Sequence, residues 1–144
     1  MHKINKVEVR NLQMEDYGQL AQSFTRVYAD KDVFWTREQI RKLVTIFPEG
    51  QIVTVVDGRI VGCALSIIVD YDMVKGDHTY AKVTGGETFD THTPNGNILY
   101  GIEVFIHPDY RGLRLARRMY DYRKELCEKL NLKAIMFGGR IPNY

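Results

Sequence analysis

NILYGIEVFIHPDYRGLRLARRMYD, residues 97–121, passes directly from a strand into a helix. Residues 97–106 are dense in β-branched and aromatic side chains, as a buried strand requires. His107-Pro108-Asp109 makes a turn. A helix then reads from about Gly112 to Leu130, with Leu113, Ala116, Met119, Tyr120, Leu126, Cys127 and Leu130 on one side. KAIMF (133–137) is a short apolar strand that Gly138-Gly139 closes. Strand, helix and strand in this order make a crossover unit. Its two strands run parallel and its connection is right-handed in nearly all cases.

Working outward from this unit, QIVTVVDGRIVGCALSIIV (51–69) holds two β-branched runs around Asp57-Gly58. That dipeptide tolerates positive φ at both central positions of a type I′ turn, so the spacing predicts an antiparallel hairpin over 51–57 and 59–69. KVEVR (6–10) alternates as a strand. In EDYGQLAQSFTRVY, Tyr17, Leu20, Ala21, Phe24, Val27 and Tyr28 fall at helical spacing, and Glu15-Asp16 suits that helix's start. A second helix begins at Thr36, where Gln39 three residues on makes a capping-box pattern, and Pro48-Glu49-Gly50 ends it. Residues 70–97 lack periodicity and hold Gly, Thr, Asp and His, which marks a functional or mobile loop. The order β-α-α-β-β-loop-β-α-β gives an α+β fold, an α/β/α arrangement in which helices cover a mixed central sheet.

At 144 residues, 1–144 is one domain by length. The formal charge of +2 excludes a polyelectrolyte, so any anion site must be local. Cys63 and Cys127 are too few for a disulfide scaffold and read as buried thiols in a reducing compartment. The N-terminal residues have no apolar run of signal-peptide type, and no window approaches a membrane span. A cytoplasmic location is expected, with no membrane partner.

The clearest local excess of charge is the junction at 107–118. A helix that starts at a strand's end aims unpaired N–H groups and a positive dipole at the space above it. Gly112 lets the backbone approach a bound group closely, and Arg111, Arg114, Arg117 and Arg118 add full charges. This arrangement suits a diphosphate.

A strand followed by His-Pro-x-Tyr-Arg-Gly and an amphipathic helix resembles the acetyl-CoA motif of the GNAT acetyltransferase superfamily. The family pattern is Gln/Arg-x-x-Gly-x-Gly/Ala. Arg111 fills its first position, Ala116 its last, and Gly112 matches a glycine that often follows the first arginine. Arg114 stands where the middle glycine is expected. A right-handed helical backbone at 114 would accommodate it, with the side chain turned away or contacting a phosphate. The element order matches the superfamily from Lys6 to about Phe137. RGLRLARRMYDYRKELC and GGRIPNY are similar to a subgroup in which such a domain is joined to a carbon-nitrogen hydrolase domain.

The resemblance implies a fold of the acyl-CoA N-acyltransferase type, with the family's final helix and hairpin lacking here. A longer protein or a partner chain would then complete the sheet, so a homodimer and a covalently linked second domain both stay open. It implies acetyl-CoA as co-substrate, held by Arg111, Gly112, Leu113, Arg114, Leu115, Ala116 and Arg117. Backbone N–H groups at a bulge polarise the thioester, and the resemblance assigns them to Val104-Phe105-Ile106. An amine acceptor is mostly protonated at neutral pH and needs a base. Tyr100 and Glu103 are the polar groups on that strand, and a spacing of three puts them on opposite faces of regular strand. Glu103 is the preferred base; alternatively it pairs with an arginine of the following helix.

Other polar residues have blander readings beside functional ones. His78 and His92 can meet a substrate or merely lie in the loop, and Asp70, Asp72 and Asp77 can select a cationic amine or be solvated. His107 is positional, Trp35 belongs to the core or the acceptor cleft, and no His/Cys spacing suggests a metal. Two rival functions remain. One is an acyl-CoA-binding module without catalysis. The other is a nucleic-acid binder using the helix over 111–124, where Arg111, Arg114, Arg117, Arg118, Arg123 and Lys124 lie; the low net charge and the lack of an adjacent second helix argue against it.

Overall fold

The computed structural model describes residues 6–28, 34–74, 83–85 and 88–140. The chain runs β1 (Val7–Asn11), α1 (Tyr17–Tyr28), α2 (Arg37–Ile46), β2 (Ile52–Val56), β3 (Arg59–Val69), a single-turn α3 (Tyr71–Val74), β4 (Ile98–Ile106), α4 (Leu115–Lys129) and β5 (Ala134–Arg140). The described strands form one sheet in the order β1-β2-β3-β4-β5. The first three neighbouring pairs are antiparallel and β4 with β5 is parallel, as the hairpin and the crossover predict.

Local chemistry explains most boundaries. Asp57 and Gly58 both have positive φ, 51° and 84°, which is the backbone of the predicted hairpin turn. Thr36 accepts from the Gln39 N–H at 3.1 Å while the Gln39 side chain accepts from the Thr36 N–H at 2.9 Å, so the capping box starts α2. At the end of α4, Asn131 takes φ 60° and the Leu132 N–H reaches back to the Cys127 carbonyl at 2.8 Å, closing the helix.

Both faces of the sheet are covered, so β2 and β4 are buried along their whole length. On one face Leu20 and Phe24 of α1 and Ile40 and Leu43 of α2 pack with Val53, Cys63, Leu65, Ile67, Tyr100, Ile102 and Phe105. On the other, Leu115 and Met119 of α4 pack with Ile52, Val61, Ala64, Val104 and Ile106, and Leu126 and Cys127 with Ile68 and Leu99.

Three expectations change. The helix expected from Gly112 starts at Leu115, because Pro108–Leu113 is a separate 3-10 segment that His107 caps through the Asp109 N–H. Gly138-Gly139 does not close β5, since the parallel ladder carries on to a Glu103–Arg140 pair. The described part of the 70–97 loop is packed rather than loose. Val83 and Phe89 are buried, the Thr93 N–H bonds the Ile68 carbonyl at 2.7 Å, and Lys42 pairs with Asp90. His78 and Asp77 lie outside the described residues.

Candidate active site

The middle of β4 is irregular. Against β3, Glu103 pairs with Leu65 but Gly101 pairs with Ser66, so Ile102 is an extra residue. The ladder to β5 shifts at the same place, between Gly101 and Glu103. A bulge of this kind leaves backbone groups out of the ladder and re-aims side chains. It sits just ahead of the stretch assigned by resemblance: Val104, Phe105 and Ile106 are regular strand, paired to Ala64, Cys63 and Gly62, and their side chains are buried.

The bulge also overturns the expected opposition of Tyr100 and Glu103. One extra residue shifts the alternation by one, so both point to the face covered by α1 and α2. Tyr100 is part of that core cluster, and Glu103 accepts a hydrogen bond from Trp35 of the same cluster. The Trp35 Nε1–H to Glu103 Oε1 distance is 2.9 Å. Glu103 is 1% exposed and Tyr100 0%. Burial pushes the Tyr100 phenol up. Trp35 is thus a core residue, as expected, with a polar role that its sequence context did not signal.

Past the bulge, β4 runs into His107, the 3-10 segment and the start of α4. Arg114 stands at the helix N-cap with φ 57° and ψ 34°, a left-handed conformation. The right-handed expectation fails here. The turn into α4 demands the backbone that the family's glycine adopts freely, and the arginine adopts it with strain. Leu115 is fully buried in the core beside Met119, so of the residues assigned by resemblance it presents no surface to the groove. Arg114, Ala116, Arg117 and Tyr120 line an open groove of about 390 Å³ along the first turns. Arg117 also pairs with Asp121, Nε to Oδ1 at 3.3 Å, on the exposed face. Arg123 is buried at 1% exposure and donates to the Ser66 hydroxyl at 2.7 Å, so of the basic residues in 111–124 it is not available to a nucleic acid.

The remaining candidates separate. His107 is buried and serves the turn. His92 stacks on Phe47 with centroids 5.1 Å apart, and its Nδ1 accepts from the Ile68 N–H at 3.0 Å. Burial holds its imidazole below the usual histidine range. It is a structural acceptor, not an exposed loop histidine. Asp70 and Asp72 line a cleft of about 660 Å³ with Tyr71, Asn97, Lys133 and Met136. Met136 pairs with Tyr100, two residues before the bulge, so this cleft runs along the β4–β5 seam toward it. Cys63 and Cys127 are both buried free thiols, and burial raises each.

A profile of the acetyltransferase (GNAT) family matches residues 7–144. The chain belongs to this family. The GNAT chain is 36% identical over 144 residues to the probable hydrolase YhcX of Bacillus subtilis strain 168, an overlap of 96% of this chain and 27% of that protein. It is 32% identical over 114 residues to the uncharacterized N-acetyltransferase YkwB of the same strain, covering 79% of this chain and 50% of that one. It therefore spans about a quarter and a half of these two relatives. Among solved structures, a GNAT-like decarboxylase, GphF, in complex with isobutyryl-CoA superposes with a TM-score of 0.66 at 18% identity, over 80% of this chain and 56% of that one. At such identity the likeness speaks for the fold, a mixed sheet with helices of the acyl-CoA N-acyltransferase type. No helix among the described residues of the GNAT chain is long and apolar enough to cross a membrane.

Proposed function

We propose that this chain transfers an acetyl group from acetyl-CoA to a primary amine by direct attack on the thioester. One observation carries the reading: the β4 bulge at Ile102 stands next to the buried Glu103 carboxylate, on a strand that leads straight into a basic helix start. The N-terminal turn of α4 and Arg111, Arg114 and Arg117 would hold the diphosphate, and the groove beside Tyr120 the adenosine end. The pantetheine arm would then run along β4 toward the bulge.

At the bulge, the amine nitrogen attacks the carbonyl carbon. Backbone N–H groups released from the ladder polarise the carbonyl oxygen, and one such donor typically contributes about 10²–10³ in rate. Glu103 takes the proton from the amine, through an intervening water because the carboxylate is buried. The C–S bond breaks, and CoA leaves as a thiolate that takes the second proton shed by the acylated nitrogen. Tyr100 shares this face and is the second candidate for a proton-transfer role. The fold's likeness to an isobutyryl-CoA complex supports testing branched acyl groups beside acetyl. The similarity to one segment of a probable hydrolase supports a covalently linked second domain, and the buried free thiols Cys63 and Cys127 support a cytoplasmic location.

The test is acetyl transfer from acetyl-CoA to a panel of primary amines, with wild type and Glu103→Gln. We expect transfer by wild type and a loss of about 10²–10⁴ in kcat/KM for the variant. Full activity of Glu103→Gln across pH would end the base assignment. Binding of CoA with no transfer to any amine would favour the binding-module reading.

A further inference from the structure

Trp35 is the chain's single tryptophan. Its contacts go beyond packing. The Tyr17 hydroxyl of α1 donates to the Trp35 carbonyl at 2.7 Å. The next residue, Thr36, is locked as the cap of α2. From the 83–97 segment, Phe89 lies tilted against the indole with centroids 5.6 Å apart. Phe89 holds φ 62°, a conformation that a bulky side chain keeps only when its surroundings impose it. Two elements thus fix the backbone at Trp35 and a third packs on its ring. The ring's one polar group, which can donate but never accept, is given to a carboxylate oxygen 68 residues away in the chain.

We propose that Trp35 is a positioning residue for Glu103: the indole N–H, donated to one carboxylate oxygen, holds the orientation in which the carboxylate serves the bulge. This rests on the reading of Glu103 as the base. A hydrogen bond to the charged form favours that form, so the indole N–H acts in favour of the carboxylate over the carboxylic acid. The Cys63 thiol of β3 feels the Glu103 charge, and Arg123 of α4 acts on that same thiol. Tyr100 lies on the same strand. Burial holds both the thiol and the phenol in their neutral forms through neutrality.

Because there is one tryptophan, the ¹H–¹⁵N spectrum of the protein has one indole resonance. We expect that resonance to move with pH in wild type and to stay still in Glu103→Gln. In Trp35→Phe, the Glu103 carboxyl carbon, assigned by its disappearance in Glu103→Gln, should titrate about one pH unit or more higher. The acid limb of kcat/KM for the best amine of the panel should rise with it, while circular dichroism remains native. An indole resonance that titrates identically in wild type and Glu103→Gln would overturn the proposal, and this comparison does not depend on the folding of Trp35→Phe. An inactive Glu103→Gln together with an unmoved Glu103 titration in Trp35→Phe would overturn the positioning role alone. An active Glu103→Gln would overturn the base reading and this inference with it.

Discussion

At position 114 the backbone is left-handed although the side chain is an arginine. For a residue with a Cβ this conformation costs about 1–2 kcal/mol, and glycine avoids it. Arg114→Gly should therefore raise stability to urea by about 0.5–1 kcal/mol, after the glycine's greater freedom in the unfolded chain offsets part of the relief. If the arginine also touches a phosphate, the same variant will bind CoA more weakly. The motif shows that a glycine's place is occupied, but not the conformation, because arginine's own propensity favours the right-handed helix. His92 shows a similar limit. Its ring satisfies the Ile68 N–H, and burial lowers its pKa in the folded state. Its contribution is complete above the unfolded value of about 6.5 and is lost as pH falls below it. Thermal unfolding from neutral to acid pH should show that loss, and His92→Phe should remove the dependence. Leaving the Ile68 N–H without its acceptor should itself destabilise the protein by about 1–3 kcal/mol. Nothing near His92 in the sequence points to a partner 24 residues away.

Elements whose boundaries rest on near neighbours were legible. The Asp57-Gly58 turn and the Thr36–Gln39 capping box involve residues within three positions of each other, and both form as expected. Thr36→Ala should cost about 1 kcal/mol in equilibrium unfolding. It should also loosen Trp35, the adjacent residue, which a broadened indole resonance would report. The β4 bulge is of another kind. It exists only in the pairing of β4 with its neighbours, and no residue type at 101–103 demands it. It changes which side chains share a face, so the strand's alternation misled about Tyr100 and Glu103 while still identifying the strand. In the same way the pattern of α4 drew Gly112 and Leu113 into the helix although they end the 3-10 segment Pro108–Leu113, since a 3-10 turn and an α-helix present similar spacings over so few residues.

For the whole molecule, the tightest prediction concerns CoA. At 100 times its dissociation constant, CoA should stabilise the fold by about 2.7 kcal/mol if it binds only the native state. A thermal-shift titration measures this, and no shift at saturating CoA would count against the cofactor reading. The element order, the antiparallel hairpin, the parallel crossover and the basic helix start all follow from hydrophobic period and turn chemistry along the chain, and these place the protein's fold class and its candidate anion site. What only the tertiary structure decides is which of the charged and polar residues are buried, which are solvated and which of them meet. Arg123 and Arg117 lie on one helix six residues apart, yet one is sealed beneath the sheet with Ser66 and the other is solvated beside Asp121. Trp35 and Glu103 meet across 68 residues, and Glu103 turns toward Trp35 because of one extra residue in β4. Period and propensity are properties of neighbours in sequence. The register between strands, and therefore the direction of each side chain around the bulge, is set by how both faces of the sheet are packed.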